Sequence, residues 1–560
     1  MKTIFTRFMA TAILTAALAG NNAYSQTDTT RLENLSLEQL LKVKVTTATR
    51  KAQELGLTPA TVVVVSKEQI RIRGYQSLLD VLYDLPDMKI DDKIYSMYRN
   101  SLTIRGTQGS EKLVILLDGV TISSPSGEAM PIMENYPVHL AEQIEIVFGP
   151  ASALYGANAV SGIVNIITKK PAGENVQLEA SSMAGSYGYT NSTAFISARL
   201  KKDVNIVASG QYYYDRGADY SELYKTNDQL NIQSNQTGTF NTIYGPMTPK
   251  QSVRARYEAP MEAYNAYAAI QMPGFTFSYF RNFTKTPSAW GNNTSNAVYN
   301  KEVNLAQTVS VANATHRATF GKLTTTTQLT YSNYLLHPHS NYRNLYTGME
   351  PAYKYSTCSM IKGEELITYK ATSKFDITAG TGYEQYNSIP QSYDLMEPVN
   401  PNEHVHGSYL GTESYYRPQG LEAQFYYLKY YNFGSFVQAQ YAYNKQLQLT
   451  MGARYDVNSR YGSTFNPRAG IVYKPAKKTT VKLLYGSAFL APSPSSAYMQ
   501  WGAFDTQDSG KTYHANFLHL ANPDLKPIKY KNIELSVHQH ISKNISATVN
   551  GYYAALSGLN

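Results

Sequence analysis

Cysteine is almost missing from this chain: Cys358 is the only one in 560 residues. A disulfide framework within the chain is therefore excluded, although the N-terminus reads as that of an exported protein. Long apolar runs are missing too. The one candidate, Phe8 to Leu18, follows Lys2 and Arg7 and precedes small residues at Ala23 and Ser25. It is far shorter than the roughly 20 residues a spanning helix needs, so residues 1–25 read as a signal peptide. Charge is sparse, at 16%, and the net +9 is scattered instead of forming a basic stripe interleaved with aromatics. With export, that excludes nucleic acid as a partner; a surface of anionic lipid explains the balance. Paired carboxylates and coherent nucleophile–base sets are absent, so neither an enzyme nor a cofactor is expected.

Tyrosine is what the chain has in excess, 48 against 18 phenylalanines and 2 tryptophans. The mean hydropathy of −0.35 looks soluble. An outer-membrane barrel averages to the same value, because lipid-facing apolar residues alternate with polar lumen-facing ones.

Three regions follow the signal peptide. Residues 26–59 are an arm. It holds one short helical pattern, LENLSLEQLLKV, and then KVKVTTATRKAQ (Lys42 to Gln53), β-prone with no partner nearby. The expectation is a flexible arm carrying a potential strand. Residues 60–173 pattern as a compact α/β domain. TVVVVS (Thr61 to Ser66) reads as a buried strand, Lys67 to Arg71 and Ser77 to Asp84 as short helices, and SLTIRG, KLVILLDGV and EQIEIVFG as further strands. Asp118-Gly119 marks a turn.

Residues 174–560 switch to a period of two. FTFSYFRNF (Phe275 to Phe283), QLQLTMGARYDV (Gln446 to Val457) and NIELSVHQHIS (Asn532 to Ser542) alternate over about ten residues, enough for a tilted strand to cross a bilayer. Short turns such as Pro273-Gly274 and Gly321-Lys322 alternate with longer loops near residues 216–261, 285–300, 337–361, 389–430 and 491–529. That is the layout of a mainly β, transmembrane antiparallel barrel. A soluble β-sandwich would not lengthen its loops on one side only.

LTIRGTQGSEKLVILLDGVTI and EIVFGPASALYGANAVSGIVNIITKKP resemble the two signature stretches of the plug domain of TonB-dependent outer-membrane receptors. FNPRAGIVYKPAKKTTVKLLYGSAFLAPS and NPDLKPIKYKNIELSV resemble that family's mid-barrel segments. The resemblance implies a barrel filled by a small α/β plug, with Arg105, Gly106, Asp118, Gly119, Gly149, Pro150, Tyr155, Gly156 and Gly162 at the plug's motif positions. It also implies a TonB box at Val43, Lys44, Val45, Thr46, Thr47 and Ala48. An unpaired β-prone arm can add a strand to a periplasmic partner by main-chain bonds, which suits a membrane with no ATP of its own. Barrels of this family close with about twenty-two strands. Roughly fifteen are countable here and YYAALSGLN lacks a terminal aromatic, so the expectation is that C-terminal strands are missing.

Two departures matter. Relatives often carry an arginine where Phe148 stands, completing with Arg105 a buried cluster that meets barrel carboxylates. LPDM (Leu85 to Met88) also replaces the commoner Pro-Gly-Val. Arg105 alone still needs a barrel partner, because an unpaired buried charge is costly.

Histidines supply the remaining lead. His337 with His339, His404 with His406, and His514 with His519 fall in expected external loops, while His538 and His540 share one strand face. Loop imidazoles are commonly just solvated, but they can also ligate iron, copper or haem. FLAP (Phe489 to Pro492) and NPDL (Asn522 to Leu525) bracket His514 and His519, similar to the boxes flanking a haem-ligating histidine in haem receptors, with Leu490 in place of the usual arginine. The expected function is TonB-dependent import of a scarce nutrient, an iron-siderophore or haem, with cobalamin, another nutrient, or a passive channel or adhesin barrel as the alternatives. The expected partners are TonB, the nutrient and outer-membrane lipid.

Overall fold

A computed structural model of the chain describes residues 43–558, apart from 93–99, 172–175, 201–202, 220–236, 243–244, 250, 252, 254–257, 290–295, 393, 396, 402–406, 412–420, 500, 507–512 and 543–544. Residues 1–25, read above as a signal peptide, and most of the leucine-rich stretch of the arm lie outside the described residues.

The α/β domain is built on a sheet in the order Thr61–Ser66, Ala141–Phe148, Gly162–Thr168, Leu113–Leu117, Val120–Thr121. The central GIVNIIT strand runs antiparallel to Ala141–Phe148 and parallel to Leu113–Leu117. Its apolar run is explained by neighbours on both sides and cover on both faces. Gly162 is required there, because a Cβ would stand 2.3 Å from the Val147 carbonyl oxygen. TVVVVS corrects one expectation. It is an edge strand paired only with Ala141–Phe148, so Thr61 to Val64 are half-buried and only Val65 and Ser66 are enclosed. Helices Lys67–Arg73 and Leu78–Tyr83 each start with a capping box, from Ser66 with Gln69 and from Ser77 with Asp80. Ile70, Leu78, Val81 and Leu82 join the domain's main core.

Around this domain curls a single sheet of fifteen antiparallel strands in chain order, from Gln177–Ala184 to Ile545–Ser557. Contacts come from well-separated strands: Gln211 donates to the Gln76 carbonyl at 3.1 Å and Lys482 to the Ala60 carbonyl at 3.1 Å. The face toward the plug is polar, with Asn432, Gln438, Gln440, Thr450 and Asn466 buried. The outer face is apolar, with Phe277, Phe433, Val437, Ile471 and Leu483 exposed. This inversion of a soluble protein is what a bilayer selects. Several strands exceed the expected ten residues, Asn304–Phe320 reaching 17. They extend into segments read as loop, because ladder pairing continues above the apolar band. The long connections carry their own hairpins, such as Asn341–Tyr342 with Ala352–Tyr353. Phe240, Met247, Val298, Leu345 and Met349 knit three of them into a small core.

Candidate functional site

The arm is not free, which corrects the expectation of a flexible, unpartnered segment. Lys44–Val45 pairs antiparallel with Gln53–Glu54, and Val45, Thr47 and Ala48 are buried. The reason lies in the plug. Glu145, buried in strand Ala141–Phe148, accepts from the Thr46 and Thr47 backbone N–H groups at 2.9 and 2.8 Å and from the Thr47 hydroxyl at 2.6 Å. A carboxylate taken out of water needs such donors, and two adjacent orphan amides provide them. Asn165 Nδ2 donates to the Thr47 hydroxyl at 2.9 Å, and the Tyr155 hydroxyl donates to the Thr47 carbonyl at 2.9 Å. Burial pushes the Tyr155 phenol up to about 12, so it remains a donor.

The barrel wall holds the same segment from the other side. Arg50 forms a two-pronged pair with Glu364 at 2.8 and 2.7 Å and lies 5.0 Å over the Tyr155 ring. Burial by itself lowers the arginine pKa, but the Glu364 carboxylate outweighs it and the guanidinium is held more firmly charged than usual. Arg468 donates to the Ala48 and Pro59 carbonyls, each at 3.2 Å. Lys482 reaches the Ala60 carbonyl at 3.1 Å. Thus the arm from Thr46 to Ala60 is clamped between one plug carboxylate and three barrel side chains.

The plug motif residues take structural positions. Arg105 points into the barrel wall toward Glu534, with Gly106 completing its left-handed turn. Asp118 and Gly119 form the turn after Leu113–Leu117, and the Asp118 carboxylate ties it to the central strand, accepting from Thr168 N at 3.0 Å and its hydroxyl at 2.7 Å. Gly149 turns the chain so that Pro150 packs on barrel Gly486, where a Cβ would meet the proline ring at 2.9 Å. Gly156, at φ +80°, lets barrel Arg454 approach to 3.2 Å of where a Cβ would be.

At the opposite end a cavity of about 710 Å³ opens between the plug apex and the long connections. Plug residues Gln108, Glu111 and Glu128 face barrel residues Gln307, Tyr334 and Lys526 across it. A smaller space of about 160 Å³ shares Glu111, Glu128, Ala491 and Pro492 with it and descends along the wall as far as Arg50 and Glu364. Along that wall Lys362 stands 3.5 Å from Glu384 and 3.8 Å from Glu364. The Tyr386 hydroxyl donates to Glu384 at 2.8 Å, and its ring stacks on Tyr430 at 4.5 Å.

FLAP proves to be a plug contact. Asn158 N donates to the Phe489 carbonyl at 3.0 Å, and Ala491 N to Asn158 Oδ1 at 3.1 Å. Asn522 and Leu525 of NPDL line the larger cavity. The backbones of His514 and His519 lie on strand Tyr513–His519, opposite Asp505 and Trp501 of the Trp501–Thr506 strand. His337 bonds the Thr308 hydroxyl at 2.7 Å beside the Phe283 ring, and His339 lies two residues on in the same connection. His404 and His406 lie outside the described residues. His538 sits beside the Thr548 hydroxyl at 2.9 Å. Sequence reasoning missed Glu145, Glu364 and Lys482. Only Glu145 left a signal, an acid inside an apolar strand.

Residues 172–558 match the family described as TonB dependent receptor-like, beta-barrel, and residues 55–163 match the TonB-dependent receptor plug domain. Among solved structures the fold is similar to a ferric enterobactin receptor of Pseudomonas aeruginosa, at 16% identity and TM-score 0.66 over 92% of this chain and 73% of that one. It is also similar to the siderophore receptor PirA of Acinetobacter baumannii, at 18% identity and TM-score 0.61 over 90% and 71%. The siderophore receptor PiuA of the same species matches at 14% identity and TM-score 0.60 over 92% and 75%.

Proposed function

This chain belongs to the TonB-dependent receptors, plugged β-barrels of the outer membrane, and from that premise we propose that it imports an iron-siderophore or haem complex. Ligand is captured in the outward cavity, and TonB pulls on the arm at Val43 to Ala48 to open a way past the plug. The observation that carries this reading is the cavity of about 710 Å³ walled jointly by plug apex and barrel loops. It lies in the range of ~300–1,000 Å³ common for sites that enclose a small molecule. Since the plug forms one of its walls, an occupant bears directly on the element that blocks the lumen.

A haem reading draws on one further placement. His519 ends the strand that leads into Leu520, which lines the cavity. Replacing both His514 and His519 by alanine should then weaken haem binding and spare assembly.

Growth under iron limitation tests the proposal, with ferric siderophore, haem or cobalamin as the single source, with and without the gene. Loss of growth on one iron source, reproduced by deleting TonB, is expected. Growth unaffected on every iron source would sink it. Liposome conductance separates the passive-channel alternative, since an open barrel conducts continuously and a plugged one hardly at all.

A further inference from the structure

Arg460 occupies the three-residue connection between strands Leu447–Asn458 and Gly462–Ala476, on the outward side. The turn is rigid. Arg460 N donates to Asn458 Oδ1 at 2.9 Å, and Ser459 exchanges bonds with the Tyr431 backbone at 3.0 and 3.1 Å. Its guanidinium reaches inward, donating to the Pro492 carbonyl at 3.1 Å and lying 4.8 Å over the Tyr430 ring and 5.7 Å from that of Tyr498. Deeper in the barrel Arg454 is paired with Asp456 at 2.8 Å. Arg460, by contrast, forms no ion pair among the described residues, and its Nε is buried without a partner.

A charge half removed from water, framed by aromatic faces and left with an unused donor, is costly unless something completes it. The nearby plug carboxylate is a poor candidate. Glu128 accepts instead from Ser495 N at 3.3 Å, and burial pushes its pKa up, an effect that the Ser495 and Ser493 hydrogen bonds and the Arg460 charge offset only in part. Arg460 lines one end of the narrow space that opens beside the larger cavity and descends to Arg50 and Glu364.

We propose that Arg460, with Tyr430 and Tyr498, receives one planar anionic arm of the ligand, an aromatic ring bearing catecholate or carboxylate oxygens. The receptor therefore selects negatively charged iron chelates over neutral ones. A guanidinium supplies both the fork that matches two adjacent oxygens and the flat face that stacks on tyrosine, which lysine cannot do. This inference rests on the iron-chelate reading above and names the chemistry it selects.

The test uses the full chain in detergent, titrated with ferric enterobactin as the anionic tricatecholate probe and with a neutral ferric trihydroxamate. Wild type, Arg460→Gln and Arg460→Lys are compared, and heat-modifiable migration on gels reports assembly. Wild type should prefer the anionic probe at least tenfold. Arg460→Gln should lose that preference and Arg460→Lys should keep part of it, with the neutral probe unchanged. Unaltered anionic affinity in Arg460→Gln, or equal weakening of both probes, overturns the assignment and leaves a structural tie to Pro492. A wild type that prefers the neutral probe refutes charge selection while the iron-chelate reading stands. Failure of the wild type to bind either probe, with growth on both iron sources independent of the gene, overturns that reading and this inference together.

Discussion

Arg105 of the plug and Glu534 of the barrel form a two-pronged ion pair at 2.8 and 3.0 Å, and each side chain is only 2% exposed. Where relatives often place a second arginine, the Phe148 ring lies 5.3 Å from the guanidinium, and Tyr552 covers it at 4.9 Å. The Thr61 hydroxyl donates to Glu534 at 2.5 Å, and Asp87 flanks Arg105 at 3.3 Å. One arginine with two carboxylates and aromatic cover thus stands where relatives often place a two-arginine cluster. Arg105→Met or Glu534→Leu alone should loosen plug docking by about 3–5 kcal/mol, because each strands a buried charge, whereas the double variant should recover much of it. Hydrogen exchange of plug amides, read by mass spectrometry in a double-mutant cycle, measures this. Additive losses would mean the two residues act independently.

Arg50 and Glu364 pin the flank of the arm to the wall. Glu364→Gln keeps the shape but removes the charge, so the arm should leave the plug more often. With a reporter at Thr46→Cys, maleimide labelling should run severalfold faster in the Glu364→Gln background without ligand. Equal rates would show that the Glu145 carboxylate holds the arm unaided.

In the proposed coupling the arm adds a strand to TonB through backbone N–H groups, and proline removes one while fixing φ. Val45→Pro and Thr46→Pro should each abolish energised uptake while sparing ligand capture at the cell surface, and alanine should do much less. The Thr46 amide is held by Glu145 at rest, so its proline variant should also raise arm exposure. Labelled ligand counted on and inside the same cells distinguishes the steps, and undiminished uptake in both proline variants would place the coupling segment elsewhere.

His139, in the plug beside the Ser209 hydroxyl at 2.6 Å, is held neutral by burial, its pKa lowered from 6.5 to about 3. Between those values the unfolded plug binds a proton that the native one does not. Plug stability must therefore fall as pH drops below about 6.5, by up to ~1.4 kcal/mol per pH unit from this group. His139→Gln should flatten that part of the acid slope in urea unfolding at pH 7 and pH 5. An unchanged slope would assign acid sensitivity to other groups.

Local chemistry made much of the architecture legible. The two-residue alternation over residues 174–560 determined strands with one apolar and one polar face, and the short turns fixed every second pair of neighbours as hairpins. Asp118-Gly119 specified its turn, and the glycines before GIVNIIT specified close backbone approach. Arg105 announced that a carboxylate must face it. Tertiary structure alone decided which residue that was, since alternation says that Glu534 points inward but not what stands opposite. It also decided the state of the arm. Thr46 and Thr47 read as free β-prone residues until Glu145, 99 and 98 positions away, takes their amides, and Arg50 meets Glu364 across 314 positions. Propensity and periodicity act over a few residues, whereas these pairs exist only because a curved sheet brings distant strands round one plug. The outward cavity has the same origin: its walls come from plug apex and barrel loops that no local rule joins.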